Sequence, residues 1–385
     1  MAFLGNDAVN RVNLHSGIQA LAQAGGGIFF LVYLLRAGVS IPHALLAQAA
    51  IHVGRLMLRP IILPLAKRWG IKRILVIGSL LMACQYPLVA QVHGVGSGLF
   101  VYCAIAALGD VFYWPSYNAY FAAIGDAEHR GHQVSAREAL VALVGIVAPL
   151  LGGWALVAFG PHETFSAFGA VQVLATLPLI GAPNVADARE APGAYRAAGL
   201  GTMLAACDGW FDAWFIFVWQ IALFVLLGKS FAAYGGAMAL AALAGAACGL
   251  LLGRHVDAGH GRRAVAIAYS CLTAVVIVRA LSGDHVWLAV IANAMGAFAM
   301  TLISPTLGAA IYNLAKASPC PMRYLITTEA GWDCGAITAC CLAALLASAG
   351  ASLPLTILLA IPALAIAAML LRRYYGGREG ATAVT

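Results

Sequence analysis

Charged residues are scarce in this sequence. Only 10% of the 385 residues are Asp, Glu, Lys or Arg, whereas a soluble domain carries about 25%. Hydrophobic residues make up 62%, and apolar runs of about 20 residues, each able to cross the hydrocarbon core of a bilayer, recur along the chain. These features exclude a soluble globular protein and predict an all-α membrane protein that crosses the bilayer many times.

The sequence also lacks the usual marks of cofactor, metal and enzyme sites. Its nine cysteines are scattered and form no CxxC pair with metal-ligand spacing. It has no glycine-rich phosphate loop and no nucleophile elbow. We therefore expect no metal, no cofactor other than protons as coupling ion, and no enzymatic activity. The net charge of +7 is spread over loops between apolar runs, which argues against nucleic-acid binding.

Twelve apolar spans are predicted. They cover residues 15–36, 41–65, 73–92, 97–122, 133–159, 163–182, 200–227, 230–252, 263–281, 286–312, 323–348 and 352–372. Residues 183–199 hold prolines and charges and are predicted to link an N-terminal half, 1–182, to a C-terminal half, 200–385. With the N-terminus inside, sixteen Lys and Arg fall in inner segments and two in outer ones, which predicts cytoplasmic termini.

One loop between spans 8 and 9 is unusually polar. It covers residues 253–263 and contains Gly253, Arg254, Asp257, Arg262 and Arg263. A related stretch, 63–73, lies 190 residues upstream between spans 2 and 3 and contains Lys67, Gly70 and Arg73. The same offset places Pro115 on Pro305. An offset of about half the chain, shared by two landmarks, predicts an internal duplication.

Two sets of six spans with a repeated charged loop resemble the major facilitator superfamily, and the resemblance covers nearly the whole chain. It implies two pseudo-symmetric six-helix bundles around a central cavity that opens to either side in turn. In that family the loop aspartate latches the two halves on the cytoplasmic side, which implies this role for Asp257. The upstream copy departs from the pattern, because Lys67 stands where the aspartate is expected.

A second motif lies in span 5, where Pro149, Gly152 and Gly153 resemble an element of the drug:proton antiporter branch, with Ala148 in place of the first glycine. Proline can kink the helix, and the glycines allow a neighbouring helix to approach closely. Ordinary packing of small residues would use the same pattern, so both interpretations stay open. The arginine that many antiporters carry in span 4 is missing; the charge at that depth is Asp110.

Ionisable side chains within spans are costly unless they face a cavity or a partner. Three pairs are spaced one helical turn apart and therefore share a face: Asp208 with Asp212, Glu329 with Asp333, and Arg55 with Arg59. Arg137 and Glu138 are neighbours in span 5. Two carboxylates this close in a low dielectric cannot both ionise cheaply. We therefore expect at least one carboxyl group of each acid pair to gain and lose a proton near neutral pH. The alternative is a permanent, structural pairing of these acids with arginines.

Aromatic residues accompany these charges. Trp210 and Trp214 lie beside the acids of span 7, and Tyr113 and Tyr117 follow Asp110 in span 4. Rings and carboxylates together favour an amphiphilic, cationic or zwitterionic substrate. The alternative is that the rings are packing or lipid-facing residues. We interpret the histidines of spans 1 and 2, His15 among them, as packing residues.

The favoured hypothesis is a secondary transporter of the inner cell membrane that exports a small amphiphilic organic molecule in exchange for protons. The predicted partners are this substrate and the lipid bilayer, and the expected state is a monomer. One alternative is a proton-coupled importer, in which Arg55 and Arg59 bind a substrate carboxylate. A membrane receptor or enzyme that does not transport is the third hypothesis.

Overall fold

The computed structural model describes residues 6–124, 130–185, 193–252 and 261–382, with side chains at all of these except 122, 130–139, 248–252, 304–305 and 377–382. Within these ranges the chain is helical and contains no strand. Eleven helices of the described part are long and apolar enough to cross a membrane, and one further helix contains a shorter apolar stretch, Phe231–Ala247. The predicted all-α membrane fold class is therefore confirmed.

The helices are numbered in chain order. They are α1 (Asp7–Arg36), α2 (Ile41–Trp69), α3 (Ile71–Ala90), α4 (Ser97–Ile124), α5 (Arg130–Ala158), α6 (Pro161–Ile180), α7 (Gly199–Leu226), α8 (Phe231–Leu252), α9 (Gly261–Leu281), α10 (Val286–Ala317), α11 (Pro321–Ser348) and α12 (Leu353–Gly376). A one-turn helix, Ala194–Ala197, precedes α7.

Local sequence explains where several helices begin. The side chain of Asn6 caps α1 by accepting a hydrogen bond from the Val9 N–H at 3.1 Å. Proline occupies the first turn of α2, α6, α11 and α12, where its missing N–H has no helical partner to lose. Between α5 and α6, Gly160 adopts a φ of +86°, which only glycine reaches without strain. Such short turns join consecutive helices as antiparallel neighbours.

Contacts divide the chain into two units. The first contains Met1–Glu190 and Ser230–Ala239, and the second contains Ala191–Lys229 and Leu240–Thr385. In the first unit α1 packs on α5 and α6, and α3 packs on α4 and α6. In the second unit α7 packs on α11 and α12, and α9 packs on α10 and α12. The same pairings recur six helices later, as expected for a duplicated bundle. The division predicted at residues 183–199 stays a prediction.

The predicted loop at 63–73 is mostly helical. Helix α2 continues to Trp69, and only Gly70, with φ +82°, separates it from α3. Lys67 and Arg68 lie in the last turn of α2, where the helix dipole favours cations. The basic residues Lys67 and Arg68 therefore do not end α2, and the chain turns only at Gly70.

Four spans contain a turn that is not α-helical. These turns are Gly27–Phe29 in α1, Arg59–Ile61 in α2, Ala213–Val218 in α7 and Ile357–Ala360 in α12. The segment in α7 is a π-helix, a rare geometry that is frequent at functional sites. It starts directly after Asp212, so it controls the direction of the side chains that follow the acid pair.

Candidate functional site

Helices α7 and α11 are in direct backbone contact in the second unit. An added Cβ at Gly209 of α7 would overlap the carbonyl oxygen of Trp332, and one at Gly335 of α11 would overlap that of Ala206. At Gly331 it would lie 2.5 Å from the Thr202 oxygen. Gly331 and Gly335 are one turn apart, which is the small-residue spacing typical of close membrane helices. This contact places both predicted acid pairs on one helix pair.

Asp208 and Asp212 are half-buried on α7. The indole Nε1 of Trp332 donates a hydrogen bond to Asp212 Oδ2 at 3.2 Å. The other oxygen, Oδ1, is buried and accepts no hydrogen bond from any described residue. Neither carboxylate forms an ion pair within the part of the chain whose side chains are described. The structural alternative requires an arginine paired permanently with Asp208 or Asp212, and no described residue fills that role.

A narrow cleft of the second unit reaches Asp208. Its other walls are apolar or aromatic, and come from α7, α9, α10 and α12. They include Phe211, Tyr269, Leu307 and Leu364. A carboxyl group in such surroundings has little solvation for its charged form, unless water or a ligand enters the cleft. The cleft's volume of about 10 Å³ is close to the space of a single water molecule, so in this conformation the cleft can bring a water molecule, and with it a proton, to the acid pair.

The second acid pair lies on α11. Asp333 is completely buried and Glu329 is half-buried. Asp333 lies between the two glycines that contact α7, Gly331 and Gly335, and Trp332 beside it bonds to Asp212. A change in the position of α11 would therefore alter the surroundings of both acid pairs.

The tryptophans of α7 have different environments. Trp210 donates from Nε1 to the Leu359 carbonyl oxygen at 2.8 Å, which attaches α7 to the irregular turn of α12. Trp214 is fully buried, and its ring centroid lies 6.2 Å from that of Trp210. Both rings lie in the packed interior of the second unit, so the packing interpretation applies to them in this conformation.

In the first unit, the predicted charges of α2 and α4 meet. Arg55 Nη1 lies 3.6 Å from Asp110 Oδ2, and the two side chains are 10% and 21% exposed. Arg59, one turn further along α2, is 2% exposed. Pairing reduces the cost of holding the Arg55 and Asp110 charges inside the helix bundle. Asp110 is thus one half of an ion pair, the arrangement that the structural interpretation requires.

Tyr113 and Tyr117 belong to a buried network with α1 that sequence reasoning missed. His15 Nε2 lies 3.0 Å from the Tyr113 hydroxyl, and its Nδ1 lies 2.7 Å from the Ala175 carbonyl oxygen. Tyr117 donates to Ser16 Oγ at 3.2 Å. The two tyrosine rings are stacked, with centroids 5.7 Å apart. His15 is a packing residue, as expected, but it also joins α1, α4 and α6.

Arg279 is the second feature that sequence reasoning missed. It is 3% exposed, although it lies in α9, which carries no predicted site residue within the membrane. Its Nη1 donates to the Phe215 carbonyl oxygen of the π-helix at 2.6 Å. Its Cζ lies 3.7 Å from the Phe215 ring centroid and 4.6 Å from that of Trp219. These rings stabilise the buried charge and join α9 to the π-helix that follows the acid pair.

The chain is similar to known proteins in part of its sequence and in its fold. A sequence model of the Major Facilitator Superfamily matches residues 16–202. A crystal structure of an auto-inhibited POT family peptide transporter has a TM-score of 0.65 at 15% identity, covering 96% of this chain and 97% of that one. The in meso crystal structure of the POT family transporter PepTSo has a TM-score of 0.68 at 12% identity, covering 97% and 98%. No curated protein sequence matches.

Residues 16–202 belong to the major facilitator superfamily by sequence, and nearly the whole chain has the fold of its transporters. It is accordingly a multi-pass membrane transporter of a small molecule. The two solved structures are too distant in sequence to indicate more than this fold. Among the described residues no group of three or more His, Cys, Asp or Glu could hold a metal ion.

The superfamily loop motif is described in part. Gly253, Arg254 and Asp257 lie outside the described residues, while Arg262 and Arg263 are exposed at the start of α9. In the upstream copy Lys67 and Arg73 are exposed. An added Cβ at Gly70 would overlap the Asn184 side chain, which donates to the Trp69 carbonyl oxygen at 2.9 Å. Residues after α6 thus cover this turn. The side chains of Arg137 and Glu138 lie outside the description.

The span 5 motif lies at a close helix contact of the first unit. An added Cβ at Gly152 would overlap the Gly25 carbonyl oxygen, and one at Gly153 would lie 2.6 Å from that of Phe231. A Cβ at Gly235 of α8 would overlap the Pro149 carbonyl oxygen. The motif therefore allows α1 and α8 to approach α5. This is the packing geometry expected of the glycines, and a role in export stays a prediction.

Proposed function

We propose that this transporter couples substrate movement to protons through Asp208 and Asp212, and that it exports a small amphiphilic molecule by alternating access. The observation that carries the proposal is the acid pair itself. Two carboxylates lie one turn apart in a membrane helix, with a tryptophan N–H on one and no described basic partner on either. A group that exchanges protons during transport must not be neutralised permanently by an arginine.

The surroundings of the pair support proton coupling over simple structural use. Trp332 can donate to the charged form of Asp212, whereas the apolar cleft beside Asp208 favours the neutral form. The balance between these two forms changes when a cation or water enters the cleft. A substrate cation can therefore replace a proton at the pair, which is the competition that an antiporter requires.

The same residues support a class of substrate. The cleft at Asp208 is lined by Phe211 and Tyr269 together with aliphatic side chains. Aromatic faces and a carboxylate favour an apolar body with a positive group. An amphiphilic organic cation fits this chemistry, and the resemblance of the Pro149, Gly152 and Gly153 motif to the drug:proton antiporters supports export as the direction.

The test uses everted membrane vesicles from cells that produce the protein. In these vesicles respiration acidifies the lumen, so an exporter that exchanges its substrate for protons drives uptake into the vesicle. We expect a fluorescent amphiphilic cation such as ethidium to accumulate, and a protonophore to abolish the accumulation. The proposal would be contradicted if no compound in a panel of amphiphilic cations and zwitterions accumulated more in these vesicles than in vesicles lacking the protein, with or without protonophore.

A proton-coupled importer is the second candidate. It is favoured by the two buried arginines of α2, Arg55 and Arg59, because arginine binds carboxylates well. A substrate with both an amine and a carboxylate, such as the peptides named for one solved neighbour, would suit this arrangement. The same vesicles discriminate between the two directions: an importer would empty preloaded vesicles faster when the lumen is acidic, instead of filling them.

A further inference from the structure

A second cleft lies in the second unit, outside the acid pairs, where α9 begins and α12 ends. Three arginines line it, Arg262 from α9 and Arg372 and Arg373 from α12. Ala365, Ala368 and Met369 of α12 form an apolar wall below them. Its volume of about 550 Å³ lies within the usual range of small-molecule sites, about 300–1,000 Å³. The loop charges predict that this end of the unit is cytoplasmic.

The lining residues of α12 follow one helix face. Ala365, Ala368, Met369, Arg372 and Arg373 recur at spacings of three and four, so they form a continuous stripe along the helix. The centres of the apolar part and the cationic part are about 8 Å apart along the axis, because each residue rises about 1.5 Å. The stripe is therefore amphiphilic lengthwise, with its charges at the end of the membrane span and its apolar part inside it.

The third arginine, Arg262, packs against the backbone of α12 at Gly376, next to the stripe. An added Cβ at Gly376 would lie 3.4 Å from both Cδ and Nε of Arg262. The Arg262 side chain thus crosses the bare backbone of α12 next to Arg372 and Arg373. The neighbouring Tyr375 is held elsewhere, since its hydroxyl donates to the Thr306 carbonyl oxygen at 2.8 Å. Two helices consequently supply cations to one place.

The positive charges that line this cleft favour the binding of an anion. Arg372 and Arg373 are exposed, and neither forms an ion pair with any residue whose side chain is described. Like charges this close repel one another, and an anion placed among them relieves the repulsion. Arginine is well suited to bind phosphate oxygens, because its planar group donates two parallel hydrogen bonds. Free phosphate and a lipid headgroup share this chemistry, but only a lipid would also use the apolar wall.

We propose that this cleft binds an anionic phospholipid, whose phosphate lies among Arg262, Arg372 and Arg373 and whose acyl chain follows Ala368 and Met369 along α12. The basic end matches the depth of a headgroup, and basic pockets between helices at the cytoplasmic surface are suited to anionic lipids. The site is separate from the acid pair of α7. Its occupancy would hold α9 against α12 without taking part in proton exchange.

Native mass spectrometry of the full chain in detergent tests the proposal, with phosphatidylglycerol and phosphatidylcholine titrated separately. We expect phosphatidylglycerol to bind more tightly to the wild type. The variant Arg372→Gln/Arg373→Gln should weaken this binding by about tenfold or more, since each arginine near anionic lipid contributes severalfold. Arg263→Gln is the matched control, because Arg263 is exposed next to Arg262 but does not line the cleft. It should bind like the wild type.

Three outcomes would overturn the proposal. The first is equal phosphatidylglycerol binding by wild type and the double glutamine variant. The second is an equal loss in Arg263→Gln, which would indicate a diffuse surface effect. The third is displacement of the lipid by millimolar inorganic phosphate, which would indicate a site for the free anion. Should the double variant fail to fold, as judged by size-exclusion chromatography, Met369→Gln provides the second test, with weaker phosphatidylglycerol binding expected and unchanged binding contradicting the proposal.

Discussion

Because α7 and α11 are in close contact, adding a single methyl group at Gly335 should destabilise the protein. Gly335→Ala would place a Cβ onto the Ala206 carbonyl oxygen and 2.7 Å from the backbone nitrogen of Trp210. Both obstacles are backbone atoms, which cannot rotate aside as a side chain can. The helices must therefore separate, and overpacking of this kind costs about 1–3 kcal/mol. The same movement would strain the Trp332 hydrogen bond to Asp212.

The magnitude can be isolated with a control in the same unit. Gly308 lies in α10, and an added Cβ there would meet nothing within 4 Å. Gly308→Ala and Gly335→Ala both gain the helix propensity of alanine, about 1 kcal/mol, so this contribution cancels between the two variants. We expect Gly308→Ala to be as stable as the wild type or slightly more stable. Gly335→Ala should be less stable than Gly308→Ala by about 1–3 kcal/mol.

The assay is thermal or denaturant-induced unfolding of the two purified variants in the same detergent. Tryptophan fluorescence serves as the probe, because Trp210, Trp214 and Trp332 lie on the affected helices. Equal stability of Gly335→Ala and Gly308→Ala would refute the reasoning, since it would mean that α7 and α11 are not in backbone contact. A loss in both variants would show that helix packing elsewhere, not this contact, determines the result.

Further predictions concern the polar contacts within each unit, and the same unfolding assay measures them. Arg55→Leu should be less stable than Arg55→Leu/Asp110→Leu by about 1–3 kcal/mol, because the single change removes the arginine partner of a carboxylate inside the bundle; equal stability would contradict the ion pair. Arg279→Lys should cost about 1–2 kcal/mol, because an ammonium cannot stack flat on two rings and also donate to the π-helix carbonyl; no loss would exclude that geometry. Tyr113→Phe should cost about 1 kcal/mol through the lost bond to His15, and an unchanged midpoint would argue against it.

Much of the fold could be predicted, because its main determinant is local. A run of about 20 apolar residues is sufficient to specify a membrane helix, and α1 to α12 follow such runs closely. The end of α2 was harder to predict from the sequence, because Lys67 and Arg68 are equally suited to a loop and to a last helical turn. Only Gly70, with its positive φ, decides where the chain turns, and the covering residue Asn184 is more than a hundred positions away in sequence.

The site was predictable in its acids and less so in its partners. Spacing alone placed Asp208 beside Asp212, whereas the Trp332 bond joins residues 120 positions apart. The spacing of Gly331 and Gly335 was visible in the sequence and would have indicated a close helix contact, but not that α7 is the partner. No local pattern distinguishes Arg279, because the rings around it come from α7 and the contact depends on tertiary packing. Buried charges of this kind are recognised only once their neighbours are known.

The central claim is that the carboxyl groups of Asp208 and Asp212 couple proton movement to transport. It is tested most directly in proteoliposomes, by comparing wild type, Asp208→Asn/Asp212→Asn and the control Glu163→Gln, an exposed acid at the start of α6. The probe is a compound that the wild type accumulates in everted vesicles. We predict that the double variant still equilibrates the compound by counterflow, but no longer accumulates it when a pH gradient is imposed, while the control behaves like the wild type. Undiminished gradient-driven accumulation by the double variant would contradict the account.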